Sequence, residues 1–190
     1  MSFETINIRD TAHPVKLIAD DWALLSAGRR VAAHTSRAEL ASLENQRHAS
    51  NSCEESYHWN TMTISWGGVG EMWGRDVAFV FVRPQRYTYQ FMQQQDYFTL
   101  AFGLPKETLA LCGKISGRDG DKIAQAGLTP QVEGDAIFPA QADLVLVCRK
   151  LHAQDIDSTG FVDPRIADYY DGDHHRMYIG EIVQCLRKTA

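Results

Sequence analysis

The chain has 190 residues, 44% of them hydrophobic and 23% charged, with a formal net charge of −5. That is the composition of one ordinary globular domain with a real core, or of one domain carrying an embellishment. It excludes bulk electrostatic attraction to nucleic acid or an anionic membrane, and no apolar run approaches the roughly 20 residues that span a bilayer.

Residues 1–10 are polar and acidic, unlike a charged-then-apolar leader, so a cytoplasmic protein is expected. Residues 22–28 read as a short strand closed by Gly28. Character changes after that: Ser36 with Glu39 has the form of a capping box, Leu40 and Leu43 give a sparse helical stripe, and 45–56 is polar. Residues 31–56 therefore read as an exposed insertion in a single domain spanning 1–190. Strand character resumes over 57–66 and is broken by Gly67, Gly68 and Gly70. Residues 77–82 are apolar throughout and read as a strand with both faces covered. A short helix is expected over 87–95, a strand over 97–103, short helices over 106–112 and 121–126, and strands over 144–151 and 177–186.

Strands dominate, helices are short and regular β-α-β alternation is absent, which argues against a doubly wound nucleotide fold. A small closed or split antiparallel barrel with helices in its connections is expected instead. The apolar strand 77–82 needs a helix or a partner over its outer face, and a homodimer is one solution. The four cysteines (Cys53, Cys112, Cys148, Cys185) lie far apart without a CxxC, so free, mostly buried thiols are expected.

Four clusters carry possible chemistry. Asn60, Thr61, Met62, Thr63 and Ser65 lie on one strand, with 61, 63 and 65 on a common face; this is either a half-exposed β-branched strand or one lining a polar ligand. Arg83, Arg86, Tyr87 and Thr88 set two cations and two hydroxyls where the apolar strand ends, an array suited to a phosphate ester. Residues 112–119 (Cys-Gly-Lys-Ile-Ser-Gly-Arg-Asp) form a loop able to bring backbone N–H groups to an anion or carbonyl, with Cys112 read as a buried thiol lacking a base. Asp173, His174 and His175 precede the last strand. Adjacent histidines on extended chain face opposite ways and chelate poorly, so no metal site is expected and one histidine facing a pocket is preferred.

In series, residues 60–70, 77–89, 116–119 with Lys122, and 175–182 resemble the flavin reductase-like family of FMN-binding split barrels, which includes flavoredoxin. The resemblance implies a mainly β split barrel with short helices, a homodimer, and one FMN per subunit near the interface. It places the strand Asn60–Ser65 beside the flavin, and assigns Arg83, Arg86, Tyr87, Thr88, Cys112, Lys114 and Ser116 to phosphate, ribityl or ring contacts. Lys114 is the candidate cation for the reduced ring, and His175, ahead of Gly180, the candidate nicotinamide contact. No catalytic side chain is required, because the flavin performs the chemistry. The activity implied is NADH- or NADPH-dependent reduction of flavin or another small acceptor. The alternative is an electron carrier exchanging electrons with a protein partner. Nothing resembles a dinucleotide fingerprint, so the pyridine nucleotide rests on the resemblance alone.

Overall fold

The computed structural model describes residues 2–10, 14–31 and 56–189. Residues 32–55 of the expected insertion, with its capping box and Cys53, lie outside them, and its ends Val31 and Ser56 pair with each other. The strands are β1 (Phe3–Thr5), β2 (Ala23–Val31), β3 (Ser56–Ile64), β4 (Gly67–Met72), β5 (Arg75–Val82), β6 (Tyr97–Phe102), β7 (Pro130–Glu133), β8 (Ala136–Pro139), β9 (Leu144–Asp155) and β10 (Arg176–Lys188). The α-helices are α1 (Pro14–Ala19), α2 (Thr88–Gln94), α3 (Lys106–Lys114) and α4 (Lys122–Gln125), with 3-10 turns at Ile8–Asp10, Ser158–Gly160 and Pro164–Tyr169.

The main sheet runs β3-β2-β6-β9-β10-β5-β4, with β1 added to β10, and every pairing is antiparallel. Strands β3 and β4 are the two ends of that order and do not pair. Met62 and Ile64 of β3 and Val69 of β4 nevertheless meet in one core with Leu25, Val80, Phe98 and Leu146, so the sheet curls on itself and stays split along one seam. Helix α2 plugs this interior with Phe91 and Met92. A second core lies outside the barrel, where Leu24, Trp59, Ala101 and Val145 are covered by α3, α4 and the β7–β8 hairpin. This mainly β split barrel is the expected fold class.

The two faces of β9 explain its unbroken apolar reading: Leu144, Leu146 and Cys148 point into the barrel, Val145 and Val147 under the outer layer. Strand β5 differs from the expectation. Ala78, Val80 and Val82 enter the interior, but Phe79 and Phe81 on the other face are only partly buried. The glycines at 67, 68 and 70 do not end the sheet but build edge strand β4, which pairs with β5. Among the described residues no helix is long and apolar enough to cross a membrane.

The β4–β5 hairpin closes through Trp73 (φ 57°) and Gly74 (φ 70°), between the paired residues Met72 and Arg75. Two consecutive left-handed residues match the twist of flanking strands, but the first position suits Asn, Asp or Gly, not an aromatic residue. Trp73 is 57% exposed, so its burial offsets little of that strain. Trp73→Asn is therefore expected to raise unfolding stability by about 1 kcal/mol, measured by denaturant titration.

Candidate functional site

The split end of the barrel holds two adjoining cavities of about 190 and 230 Å³. Both are bounded by Met62, Thr63, Ser65, Arg83 and His175. Ile64, Trp66 and Phe81 complete the first, and Trp22, Arg86 and Gly113 the second. The walls are thus apolar and aromatic with a few cations and hydroxyls, the usual make-up of a small-molecule site. Trp22 stands at this mouth on a left-handed backbone (φ 60°), its indole N–H donating to the Ala19 carbonyl at 3.1 Å.

One side is built for an anion. Strand β5 delivers the turn Arg83–Tyr87, where the Arg86 N–H donates to the Arg83 carbonyl at 3.0 Å. Arg86 Nη2 donates to the Gly113 carbonyl at 3.0 Å, joining this turn to the end of α3. Burial lowers the pKa of Arg86. Arg118 donates through Nη1 to the Gln85 carbonyl at 2.9 Å and sits 5.1 Å over the Tyr87 ring. Lys122, 2% exposed, directs Nζ to the Cys112 and Ile115 carbonyls at 3.4 and 3.2 Å. Burial pulls its pKa down to about 8.

Gly117 closes this loop over Asn60 and Tyr87. A Cβ there would stand 2.7 Å from Asn60 Oδ1 and 2.6 Å from Tyr87 Cδ1, so only glycine lets the loop lie so close. Asn60 Oδ1 and the Tyr87 hydroxyl are buried without a hydrogen-bond partner. Burying polar atoms unpaired is costly, so they are groups for which a ligand or water is the natural partner.

The other side is a strap, residues 156–175, crossing the ends of β3 and β5. Arg83 Nη1 donates to Asp173 at 2.9 and 3.2 Å, and Nη2 to the Tyr169 carbonyl at 2.7 Å. Gln85 also donates to Asp173. His175 lies 5.0 Å from Trp66 and 6.5 Å from Phe81, ring centre to ring centre, and its Nδ1 is 3.1 Å from the Tyr170 hydroxyl. Burial first, and the Arg83 charge second, push the His175 pKa down to about 4, against a smaller upward pull from Asp173. Below the ordinary value of 6.5 the unfolded chain takes up this proton before the folded one, so stability falls as pH drops from 6.5 toward 4. After allowance for solvent reaching the cavity, this residue is expected to account for about 2 kcal/mol of that loss. His175→Gln should flatten that part of the profile in denaturant unfolding across the same range.

The sequence-derived candidates divide by depth. Met62, Thr63, Ser65, Arg83, Arg86 and His175 come together around the cavities. Thr63 also donates to the Leu109 carbonyl of α3 at 2.5 Å. Thr61 lies in a closed network, accepting from Ser26 at 2.9 Å and donating to the Leu25 carbonyl at 3.1 Å. Thr88 accepts from Asn60 Nδ2 at 2.8 Å and is buried. Cys112 is buried with its thiol pKa raised by burial, and takes part through its carbonyl. Ser116 turns its hydroxyl to the Arg118 N–H at 3.2 Å, and Lys114 is exposed and does not bound either cavity. The aromatic residues Phe98 and Tyr178 are in the barrel core, whereas Trp66 stands at the cavity. The sequence did not single out Trp22, Phe81, Tyr169 or Tyr170 as site residues, whereas Gly113 belongs to the expected 112–119 loop. The clustering of Tyr169 and Tyr170 just before Asp173 was the available signal for the strap. Among the described residues no His, Cys, Asp and Glu group could hold a metal ion.

These features fit FMN: an apolar, aromatic slot, a guanidinium-bearing loop for the phosphate, and orphaned polar atoms beneath a glycine. The family model described as flavin reductase like domain matches residues 52–190, well over half of the chain. No curated protein matches the sequence. Among solved structures, the flavoredoxin of Desulfovibrio vulgaris (Miyazaki F) is similar at a TM-score of 0.57 and 18% identity, covering 97% of this chain and 76% of that one. A flavoredoxin from Methanosarcina acetivorans gives 0.57 and 16%, with coverage of 97% and 76%. The styrene monooxygenase flavin reductase of Pseudomonas putida S12 gives 0.55 and 13%, with coverage of 93% and 84%. At these identities the likeness establishes the fold.

Proposed function

This chain belongs to the flavin reductase-like family, and from that premise we propose that it is an FMN-binding oxidoreductase reducing flavin or another small acceptor at the expense of NADH or NADPH. When bound, FMN supplies the redox chemistry, accepting hydride at N5. Arg86 and the loop of Gly113, Ser116 and Arg118 would hold the phosphate end, with Asn60 Oδ1 and the Tyr87 hydroxyl available to neighbouring polar groups. Met62, Thr63 and Ser65 at the end of β3 would border the ring system, and Trp66 and His175 would face the incoming reactant. The observation that carries this reading is that Arg86 and Gly113, joined at 3.0 Å, border the same cavity as Met62, Thr63, Ser65 and His175.

The Cys112 thiol is buried, its pKa is raised, and it borders neither cavity. The protein's contribution would be geometry, exclusion of water and electrostatic tuning. Partly exposed Phe79, Phe81 and Met177 on the outer face of β5 and β10, with Val183 46% exposed beyond them, favour a homodimer. A cytoplasmic location goes with the free thiols of Cys112, Cys148 and Cys185.

The purified protein is expected to be yellow, to release FMN on denaturation, to run at twice its 21.4 kDa mass, and to oxidise NADH or NADPH rapidly when flavin is added. A colourless protein that takes up no FMN in titration would sink the proposal. A second reading, a flavoredoxin-like carrier serving a protein partner, is favoured by the exposed Tyr169 of the strap, packed edge-on against the exposed Trp66 at the cavity. It is distinguished by slow pyridine nucleotide oxidation in a protein that still binds FMN tightly.

A further inference from the structure

We infer that Arg83 is the latch of the strap rather than an anion ligand, and that through Tyr170 it presents His175 to the cavity as a hydrogen-bond donor at Nε2 for a carbonyl oxygen of a planar ligand. The ligand in this inference rests on the flavin-site reading above; the latch and the histidine tautomer do not.

The guanidinium of Arg83 is held by the strap at both terminal nitrogens and over the Tyr170 ring. Nη1 spans both oxygens of Asp173 at 2.9 and 3.2 Å, Nη2 reaches the Tyr169 carbonyl at 2.7 Å, and Cζ lies 5.2 Å over the Tyr170 ring. Asp173 neutralises the charge, and a fork already committed at both terminal nitrogens is a weaker phosphate ligand than a free one. Arg86, by contrast, has one protein carbonyl among its side-chain partners, that of Gly113. The two arginines, three positions apart, thus divide the work: Arg83 turns to the strap and Arg86 to the α3 loop.

A cation over a phenol ring draws electron density from it and strengthens the O–H as a donor. The hydroxyl so affected is Tyr170, 3.1 Å from His175 Nδ1. A neutral imidazole carries one N–H, and when Nδ1 accepts, that proton is on Nε2. His175 is kept neutral by burial and by the nearby Arg83. Trp66 at 5.0 Å and Tyr170 at 5.5 Å flank the imidazole and limit its rotation. Nε2 has no hydrogen-bond partner among the described residues, and His175 borders both cavities. Tyr170 and Arg83 are positioning residues in this scheme; His175 meets the ligand.

The test is nitrogen-15 NMR of histidine-labelled full-length protein at neutral pH, first without flavin. Wild type is expected to show His175 as a single Nε2–H tautomer, and Tyr170→Phe and Arg83→Met to show a mixture. A Nδ1–H tautomer in wild type, or no change in Tyr170→Phe, overturns the inference whatever the state of the flavin reading. FMN is then added, followed by nicotinamide. A shift of the Nε2 proton with FMN assigns the acceptor to a flavin carbonyl, a shift with nicotinamide alone to its carboxamide, and no shift with either overturns the donor role. Arg83→Met is expected to weaken FMN and riboflavin by the same factor, because the strap, not the phosphate, has lost its partner. Selective loss of FMN affinity would overturn the latch.

Discussion

Arg86→Ala is expected to weaken FMN binding by roughly 10- to 100-fold and riboflavin by no more than about threefold, because a charge-assisted hydrogen bond to phosphate is worth about 1.5–3 kcal/mol. Arg86 lies at the N-terminal approach to α2, and burial makes its charge expensive to hold, since its pKa is lowered by desolvation alone. A guanidinium kept there at that cost needs compensation. The Gly113 carbonyl at 3.0 Å supplies part of it, and a bound anion would supply the rest. The small loss for riboflavin reflects the loosened Gly113 contact, which both ligands feel. Fluorescence titration of apoprotein with the two flavins measures the difference. Equal weakening would move the phosphate away from Arg86, toward the exposed Lys114 or Arg118.

The contrast between Arg86 and Arg83 shows what the sequence could convey. Both stood out as cations after an apolar strand, and local pattern treats them alike. Their separation depends on partners far along the chain: Gly113 for Arg86, and Asp173, 90 positions away, for Arg83. The barrel strands were legible because alternation and β-branching follow directly from a curled sheet with a packed interior. Strands β7 and β8 were not, since four-residue strands bearing Pro130 and Pro139 are too short to show a period and carry a residue that strands disfavour. Edge strand β4 was hidden by its glycines, which remove the side chains that pattern reading requires. Within the site, Thr61 and Thr63 share a face by periodicity. Only the packing of α3 and the seam decides that one is sealed against β2 and the other reaches the cavity.

Lys122 is the residue whose retention most needs a functional reason. The residue is 2% exposed and, among the described residues, its ammonium pairs with no carboxylate: it caps the Cys112 and Ile115 carbonyls where α3 ends. Burial holds its pKa near 8 against an ordinary 10.5, with Cys112 opposing the shift and Arg86 adding to it. Between those values the unfolded chain binds the proton and the folded chain releases it, so this group makes stability rise with pH from 8 to 10.5. The rise is expected to reach about 3 kcal/mol. It should appear as the difference between wild type and Lys122→Met in denaturant unfolding across that range, which removes contributions from other titrating groups. The same variant is expected to bind FMN about tenfold more weakly, a difference of roughly 1.4 kcal/mol, because Gly113–Arg118 loses the cation that anchors its start. Wild-type affinity should fall as pH passes 8, and that of Lys122→Met should not fall with it. A variant with unchanged affinity and an unchanged pH profile would mean that Lys122 only fills space behind α3. An altered profile with unchanged affinity would confine its charge to folding and leave the phosphate to Arg86.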